Sequence, residues 1–322
     1  MKASVIVPAY NAEKTMGKCL SALQAQTFKD FEVIVIDDGS KDQTAEIAAG
    51  FKGVKLLKQK NAGPATARNN GAKQAKGKII VFLDSDCVAE KNWLEEMLAP
   101  LENSEIAGVQ GTYKNKQKEL IARFTHLEIE KRHSKMAKQE FIDFIGSYSA
   151  AYRKKVFDEM NGFDTSFPMA SGEDTDLSFR INKAGYKMVF NQHAAVYHFH
   201  PISLKRYLKV KFFRAYWRTK LYGKHSEKMI KDSYTGQTVK LQTGLFFLIC
   251  LSLFLAPFGV NGVYFALVLF GALLVSTVPF AIWAGGHDLA VGLIAPPLIV
   301  ARTVMFGFGL TIGFIKQLRD TI

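Results

Sequence analysis

Asp84-Ser85-Asp86 emerges directly from the apolar run Ile79-Ile80-Val81-Phe82-Leu83. Two carboxylates two positions apart on extended backbone point to one side. Such hard oxygen donors suit Mg²⁺ or Mn²⁺, which keeps several waters and binds through one or two carboxylates plus phosphate. A lone Asp-x-Asp is weak evidence; its place at the end of a buried strand gives it weight. Asp37-Asp38-Gly39-Ser40 ends a second apolar run. It fits either a turn with an N-cap for a helix near Asp42, or a pair of acceptors for a base N–H or ribose hydroxyls. Gly172-Glu173-Asp174-Thr175-Asp176-Leu177 precedes a helical pattern containing Phe179, Arg180 and Ile181. Acids there complement the helix dipole or supply a general base that takes a proton from a hydroxyl. His198 and His200 in Tyr197-His198-Phe199-His200-Pro201 alternate like strand residues. Beside a metal they offer ligands to it or contacts to a diphosphate. Arg68, within Gly63-Pro64-Ala65-Thr66-Ala67-Arg68-Asn69-Asn70-Gly71, is a surface charge or, near a helix amino terminus, a phosphate-facing one.

The elements that would position these residues alternate. Residues 3–8, 31–37, 54–57 and 79–83 are short β-branched-rich runs, as in strands buried on both faces. Helical spacing over 14–24 and 65–75 separates them, and 106–113 adds a further strand. This rhythm predicts a mostly parallel sheet flanked by helices. Ligands of such sheets bind at the carboxyl ends of the strands, where Tyr10-Asn11, Asp37-Asp38 and Asp84-Ser85-Asp86 stand. No P-loop is present, and Gly307-Phe308-Gly309 lies inside an apolar stretch rather than after a strand.

The 322 residues carry a net charge of +13, and all but one unit of it belongs to residues 1–240. From residue 241 onward the ionisable side chains besides His287 are Asp288, Arg302, Lys316, Arg319 and Asp320. Three apolar stretches, 241–260, 262–283 and 289–315, are each long enough to span a bilayer. The third contains Pro296-Pro297 and Arg302, a charge tolerated in hydrocarbon only when it faces protein, water or a headgroup. A broken or re-entrant element is therefore weighed against a plain third span. Before the tail, Lys205, Arg206, Lys209, Lys211, Arg214, Arg218, Lys220, Lys224, Lys228 and Lys231 interleave with aromatic and aliphatic residues. That pattern predicts an amphipathic helix at an anionic membrane surface, with no nucleic-acid partner. Cys19, Cys87 and Cys250 are too scattered for a disulfide framework or a cysteine zinc site. The apolar run at the amino terminus is too short for a signal peptide, so this end is expected to stay where it is made.

Taken in order, Val5-Ile6-Val7-Pro8-Ala9-Tyr10-Asn11, Gln26-Thr27-Phe28, Val35-Ile36-Asp37-Asp38-Gly39-Ser40, Gly63 to Gly71, Asp84-Ser85-Asp86, Gly162-Phe163-Asp164, Gly172 to Leu177 with Arg180, and His198 resemble the family-2 glycosyltransferases of the GT-A fold. The resemblance covers roughly residues 1–200. It implies an α/β GT-A-like catalytic domain over 1–202; the charge and apolar patterns place a basic amphipathic interfacial segment over 203–240 and transmembrane helices over 241–322. It implies inverting transfer from a nucleotide-diphosphate sugar with Mg²⁺ or Mn²⁺. Pro8, Tyr10 and Asp38 would line the nucleobase and ribose pocket, with Arg68 beside it and Asp84 on the ribose or sugar. Asp86 would hold the metal, with His198. Asp174 would be the base, supported by Glu173 and Asp176. Arg180, His200, Arg214 and Arg218 would contact the acceptor or diphosphate.

The family's processive members carry a QxxRW motif after the base, and Arg214-Ala215-Tyr216-Trp217-Arg218 is not that motif. One sugar per encounter is therefore expected rather than a processive polysaccharide synthase. The expected acceptor is a polyprenyl phosphate or a polyprenyl-diphosphate-linked glycan in a multi-pass cell-membrane setting, with the catalytic domain cytoplasmic by the positive-inside rule. Membrane lipids are further partners, and a homo-oligomer is left open. A non-catalytic nucleotide-binding membrane adaptor is disfavoured because every required acid is present. A nucleotidyltransferase is disfavoured because no Gly-rich basic loop stands near the start.

Overall fold

The computed structural model describes residues 1–228, 236–258 and 261–321; Lys231 and residue 260, the end of the first expected apolar stretch, lie outside the described residues. The chain divides into two compact units, Met1–Lys116 with Ile129–Phe199, and Gln117–Glu128 with His200–Ile322.

The first unit is built on β1 (Ala3–Ala9), β2 (Phe31–Asp37), β3 (Val54–Lys58), β4 (Ile79–Leu83), β5 (Cys87–Ala89), β6 (Ile106–Lys114), β7 (Ser149–Arg153) and β8 (Lys187–His198). These form one sheet in the order β3-β2-β1-β4-β7-β6-β8-β5. β1 pairs in parallel with β2 and β4, β2 with β3, and β6 with β8. β7 is antiparallel to both its neighbours, and β5 to β8. The sheet is therefore mixed, with a parallel half that holds the strands expected over 3–8, 31–37, 54–57 and 79–83. The strand expected over 106–113 is β6, beyond the antiparallel β7. β4 is buried along its whole length, and β1 at every position but Pro8, which is why β4 reads as an unbroken apolar run and β1 as one interrupted only by Ser4. β3 at one edge is only half-buried and carries Lys55 and Lys58, charges that blunt an open edge.

Helices cover the faces: α1 (Glu13–Gln24), α2 (Thr44–Ala49), α3 (Pro64–Gln74), α4 (Trp93–Leu98), α5 (Leu120–Met136), α6 (Lys154–Glu159) and α7 (Glu173–Lys183). Met16, Cys19, Leu20 and Leu23 form the buried stripe of α1, at the i, i+3, i+4, i+7 spacing of an amphipathic helix. They join Val5, Val7, Val81 and Trp93 in one core cluster. The first part of α5 goes with the second unit, whereas the sequence assigned it to the catalytic domain. Phe124 and Leu127 pack there with Tyr207, Val291 and Ile299, burial that a short amphipathic pattern does not announce.

The second unit contains α8 (Leu204–Lys224), α9 (Gln237–Leu255), α10 (Gly262–His287) and α11 (Leu289–Thr321). Gln237–Phe258, Gly262–His287 and Leu289–Arg319 are each long and apolar enough to cross a membrane. The expectation of a broken third element is not met: α11 runs unbroken through Pro296 and Pro297. Nor is α8 a helix standing alone. It packs along the second half of α11, where Gly309 meets the Phe212 carbonyl and Ala215, and Gly313 meets the Tyr216 carbonyl and Thr219. A Cβ at either glycine would collide with backbone, so this Gly-x-x-x-Gly spacing permits the close approach.

Arg302 is paired. Its Nη1 donates to Glu128 Oε1 at 2.6 Å and its Nη2 to Gln242 Oε1 at 2.5 Å. Glu128 Oε2 also accepts from Lys211 Nζ and the Tyr207 hydroxyl, each at 2.9 Å. Burial alone would raise the Glu128 carboxyl, but the Lys211 and Arg302 charges outweigh it and hold it at about 2. Replacing Glu128 by Gln leaves two cations facing each other out of water. This change is expected to cost about 3–5 kcal/mol, read as a lower melting temperature in detergent. Because the carboxyl is depressed, its contribution is present above the usual carboxylate range and is lost as pH falls through about 2. The wild-type advantage over the Gln variant should therefore stay constant from pH 7 to pH 5.

Candidate active site

The parallel half of the sheet brings the acidic strand ends together. Asn11, after β1, accepts from the Lys41 N–H at 2.9 Å, and its own N–H donates to Ser40 Oγ at 3.0 Å, tying the ends of β1 and β2. Asp37 Oδ1 accepts from the Ser40 N–H at 3.2 Å, so the turn alternative holds for this residue. Asp38 is buried, and its carboxylate accepts from Gln59 Nε2 at 2.7 Å and from the Ala62 and Gly63 N–H groups at 2.8 and 2.9 Å. It shapes the loop leading into α3, a role the sequence did not suggest. Pro8 is half-buried and Tyr10 is 49% exposed, beside these turns.

Arg68, one turn into α3, is the centre of the site. Its guanidinium is 2% exposed and spans two carboxylates, with Nη2 2.8 Å from Asp84 Oδ1 and Nη1 2.9 Å from Glu173 Oε1. Expected as a direct neighbour of the nucleotide, it instead has no surface to offer a ligand, because both ends of its fork are occupied inside the protein. It is a positioning residue that fixes the end of β4 against the start of α7. Asn69 clamps the other side: its Oδ1 accepts from the Phe163 N–H at 2.9 Å and its Nδ2 donates to the Phe163 carbonyl at 2.8 Å. Arg180, expected at the acceptor or diphosphate, pairs with Asp176 at 2.8 Å and donates to the Met160 and Gly162 carbonyls. The Gly162-Phe163-Asp164 loop is thus gripped from α3 and from α7.

Gly172 opens α7 at a φ of 124°, which a side chain would strain, and a Cβ there would press on the Phe167 ring. Glu173, the first residue of α7, is buried; its Oε2 accepts from the Ser171 N–H at 2.8 Å. Burial, reinforced by the Asp174 charge and opposed by Arg68, pushes its carboxyl up to about 7. Asp174 is half-buried and accepts through Oδ1 from the Thr175 N–H at 2.7 Å. The first turn of the helix favours its negative charge, and this bond fixes the carboxylate's orientation. Asp176 is buried and committed to Arg180.

Asp86, Cys87 and His198 place one ligand atom each within 4.8 Å of one another. The register that sets Cys87 opposite His198 across β5 and β8 assembles this group, and His198 Nε2 lies 3.4 Å from Asp86 Oδ2. A carboxylate oxygen and an imidazole nitrogen fit a divalent metal ion such as Mn²⁺ or Mg²⁺. The Cys87 thiol is pushed well up by burial and by the Asp86 and Asp84 charges. His200 is not in this group. It is buried in the second unit, where its Nε2 faces His126 Nδ1 at 3.4 Å and Gln117 Oε1 accepts from its N–H. Arg214 and Arg218 also belong to the second unit. Arg218 stands over the Tyr222 and Phe306 rings at a cavity of about 840 Å³ whose other walls include Lys240, Phe247 and Phe314. The sequence did not single out Tyr113, His133 or Tyr148 near the metal group, nor Glu128 in the second unit; no short-range spacing marks them.

Residues 4–160 match the model of glycosyl transferase family 2. Glycosyltransferase AglE of Haloferax volcanii is 30% identical over 200 residues, covering 58% of this chain and 63% of that protein. The O-antigen chain rhamnosyltransferase RfbN of Salmonella typhimurium is 28% identical over 239 residues, covering 67% and 73%. The chain spans less than two thirds of the length of AglE and 33% of that of glycosyltransferase GlyA of Streptococcus pneumoniae. Among solved structures, the mannosyltransferase PcManGT from Pyrobaculum calidifontis, in complex with GDP-Man and Mn²⁺, has a TM-score of 0.63 at 18% identity, over 100% of this chain and 88% of that one. That likeness is one of fold. With the family match running from β1 through α6 and the GT-A-like sheet carrying its acids at the strand ends, residues 4–160 are the glycosyl transferase family 2 region of this chain.

Proposed function

We propose that the protein is an inverting glycosyltransferase that moves one sugar from a nucleotide-diphosphate sugar to a lipid-linked acceptor at the cytoplasmic membrane face. The observation that carries this reading is Arg68: one buried guanidinium ties Asp84, of the Asp-x-Asp group, to Glu173, the neighbour of Asp174. Donor-binding acids and a base are thereby held in one rigid group. Inversion needs a base on the acceptor and stabilisation of the departing diphosphate. Asp174 takes the acceptor hydroxyl's proton as the new C1–O bond forms and the bond to the diphosphate breaks. Asp86 and His198 would hold the divalent ion, which when bound neutralises charge on the leaving diphosphate. PcManGT with GDP-Man and Mn²⁺ is a fold neighbour that supports a nucleotide-sugar donor.

A base is needed only for a hydroxyl, since a lipid phosphate is already ionised. The acceptor is therefore a polyprenyl-diphosphate-linked glycan rather than bare polyprenyl phosphate. The basic residues of α8 and the three apolar helices support a membrane setting, and lysine and arginine before the first span support a cytoplasmic catalytic unit. The test is a screen of nucleotide sugars against both lipid acceptors, with the anomeric configuration of donor and product read by NMR. Retention of configuration, or nucleoside diphosphate release in no arm, would overturn the reading. Inside-out vesicles should use donor added from outside, and right-side-out vesicles should not.

Asp86→Ala is expected to abolish the Mn²⁺-dependent part of donor binding while leaving metal-free binding unchanged, because only the ion's counter-charge is lost. Calorimetry with and without Mn²⁺ checks this.

A further inference from the structure

We propose that Tyr113, braced by Tyr148 and His133, is the positioning residue that holds the His198 ring against Asp86 and so sets the site's affinity for a divalent ion. The Tyr113 ring lies 4.7 Å from the His198 ring, tilted by 41°, and stacks on Tyr148 at 3.7 Å, 18° from parallel. Tyr148 is itself fixed at several points. Its hydroxyl donates to the Gly111 carbonyl at 3.2 Å and lies 2.9 Å from His133 Nε2. His133 Nδ1 lies 3.0 Å from Thr112 Oγ1.

The His133 ring thus links the Tyr148 hydroxyl to the Thr112 hydroxyl, with donor and acceptor set by its tautomer. The backbone joins in, because the Tyr148 carbonyl accepts from the Asp84 N–H at 3.3 Å. β6, the residue preceding β7 and the end of α5 therefore converge on one aromatic cluster that links His133 to His198. The imidazole of His198 is 17% exposed and 3.4 Å from Asp86, on the last residue of β8, where the strand itself no longer restrains the ring. The stack supplies that restraint. Partners outside the ligand set that orient a ligating histidine change metal affinity by about 10–100-fold when removed.

The inference rests on the reading of Asp86 and His198 as metal ligands, and the experiment separates the two. MnCl₂ is titrated into the full chain in detergent, with GDP and UDP in separate arms, and free Mn²⁺ is read by EPR. Tyr113→Leu is expected to weaken Mn²⁺ binding about tenfold or more and to reduce the imidazole nitrogen modulation in pulsed EPR. Tyr113→Phe keeps the ring and should stay within about twofold of wild type in both readouts. Tyr148→Phe keeps the stack but loses the bonds to Gly111 and His133, and should fall between them. A Tyr113→Leu protein with the wild-type melting temperature and wild-type Mn²⁺ affinity would overturn the proposal. Should that variant fail to fold, unchanged affinity in both Tyr148→Phe and His133→Gln would do the same. Asp86→Ala and His198→Ala are the controls. If they too bind Mn²⁺ like wild type, the metal reading itself fails; if they lose it while Tyr113→Leu does not, only the positioning role fails.

Discussion

Asp174→Asn is expected to slow transfer to a hydroxyl acceptor by about 10²–10⁴-fold while leaving donor affinity within about twofold. The amide keeps the size of the carboxylate, and its oxygen can still accept from the Thr175 N–H that orients residue 174. Only the capacity to take a proton in the transition state is removed, so the loss should appear in kcat and hardly in the donor KM. A bare polyprenyl phosphate offered as a surrogate acceptor has no proton to lose at neutral pH, so any turnover with it should be nearly unchanged by the substitution. Single-turnover assays with both acceptors measure the difference. Ordinary turnover of the Asp174→Asn variant on the hydroxyl acceptor would move the base elsewhere; Glu173 and Asp176 are already engaged by Arg68 and Arg180.

Arg68→Met is expected to cost the first unit about 3–5 kcal/mol, the usual consequence of removing one partner from a buried ion pair. Methionine fills much of the volume, so the loss is chiefly electrostatic: Glu173 is left buried beside Asp174 with no counter-charge. The loss should depend on pH. The Glu173 carboxyl is already raised to about 7 by burial and by Asp174, against the pull of Arg68, and without Arg68 it rises further. A carboxyl raised above its unfolded value contributes stability that is full below the ordinary carboxylate range and is lost as pH rises through its folded value. Arg68→Met should therefore be most damaging near pH 8 and much less so near pH 5, where Glu173 takes up a proton. Chemical denaturation at the two pH values tests it. An equal loss at both would show that the guanidinium acts through packing over the Phe163 ring, which it faces at 5.6 Å, rather than through charge.

Arg302 illustrates how a costly residue is accommodated. The sequence demanded a partner for a cation within an apolar stretch, and Glu128 and Gln242 supply it from 174 and 60 residues away. One carboxylate serves Arg302 and Lys211 together, and burial with the neighbouring cations Arg214 and Arg302 lowers the Lys211 ammonium to about 8 despite Glu128. Glu128 itself stands in α5, in a segment whose pattern gave no sign of such a role.

By itself the sequence determined the central strands, because β4 and most of β1 and β2 are buried on both faces and such strands are dominated by apolar residues. It determined that acids stand at their carboxyl ends, since Asp37 and Asp84 follow those runs directly. It also determined the apolar tail, whose length is legible as composition. Tertiary structure decided which acids meet. The bridge from Asp84 through Arg68 to Glu173 joins residues 16 and 105 positions apart, and no local period encodes that separation. It decided the antiparallel place of β7, the register that sets Cys87 opposite His198, and the stack of Tyr113 on Tyr148. The physical reason is range. Propensity and hydrophobic period act over one or two turns of chain, whereas strand pairing and burial of charge are settled only when distant segments compete for the same interior.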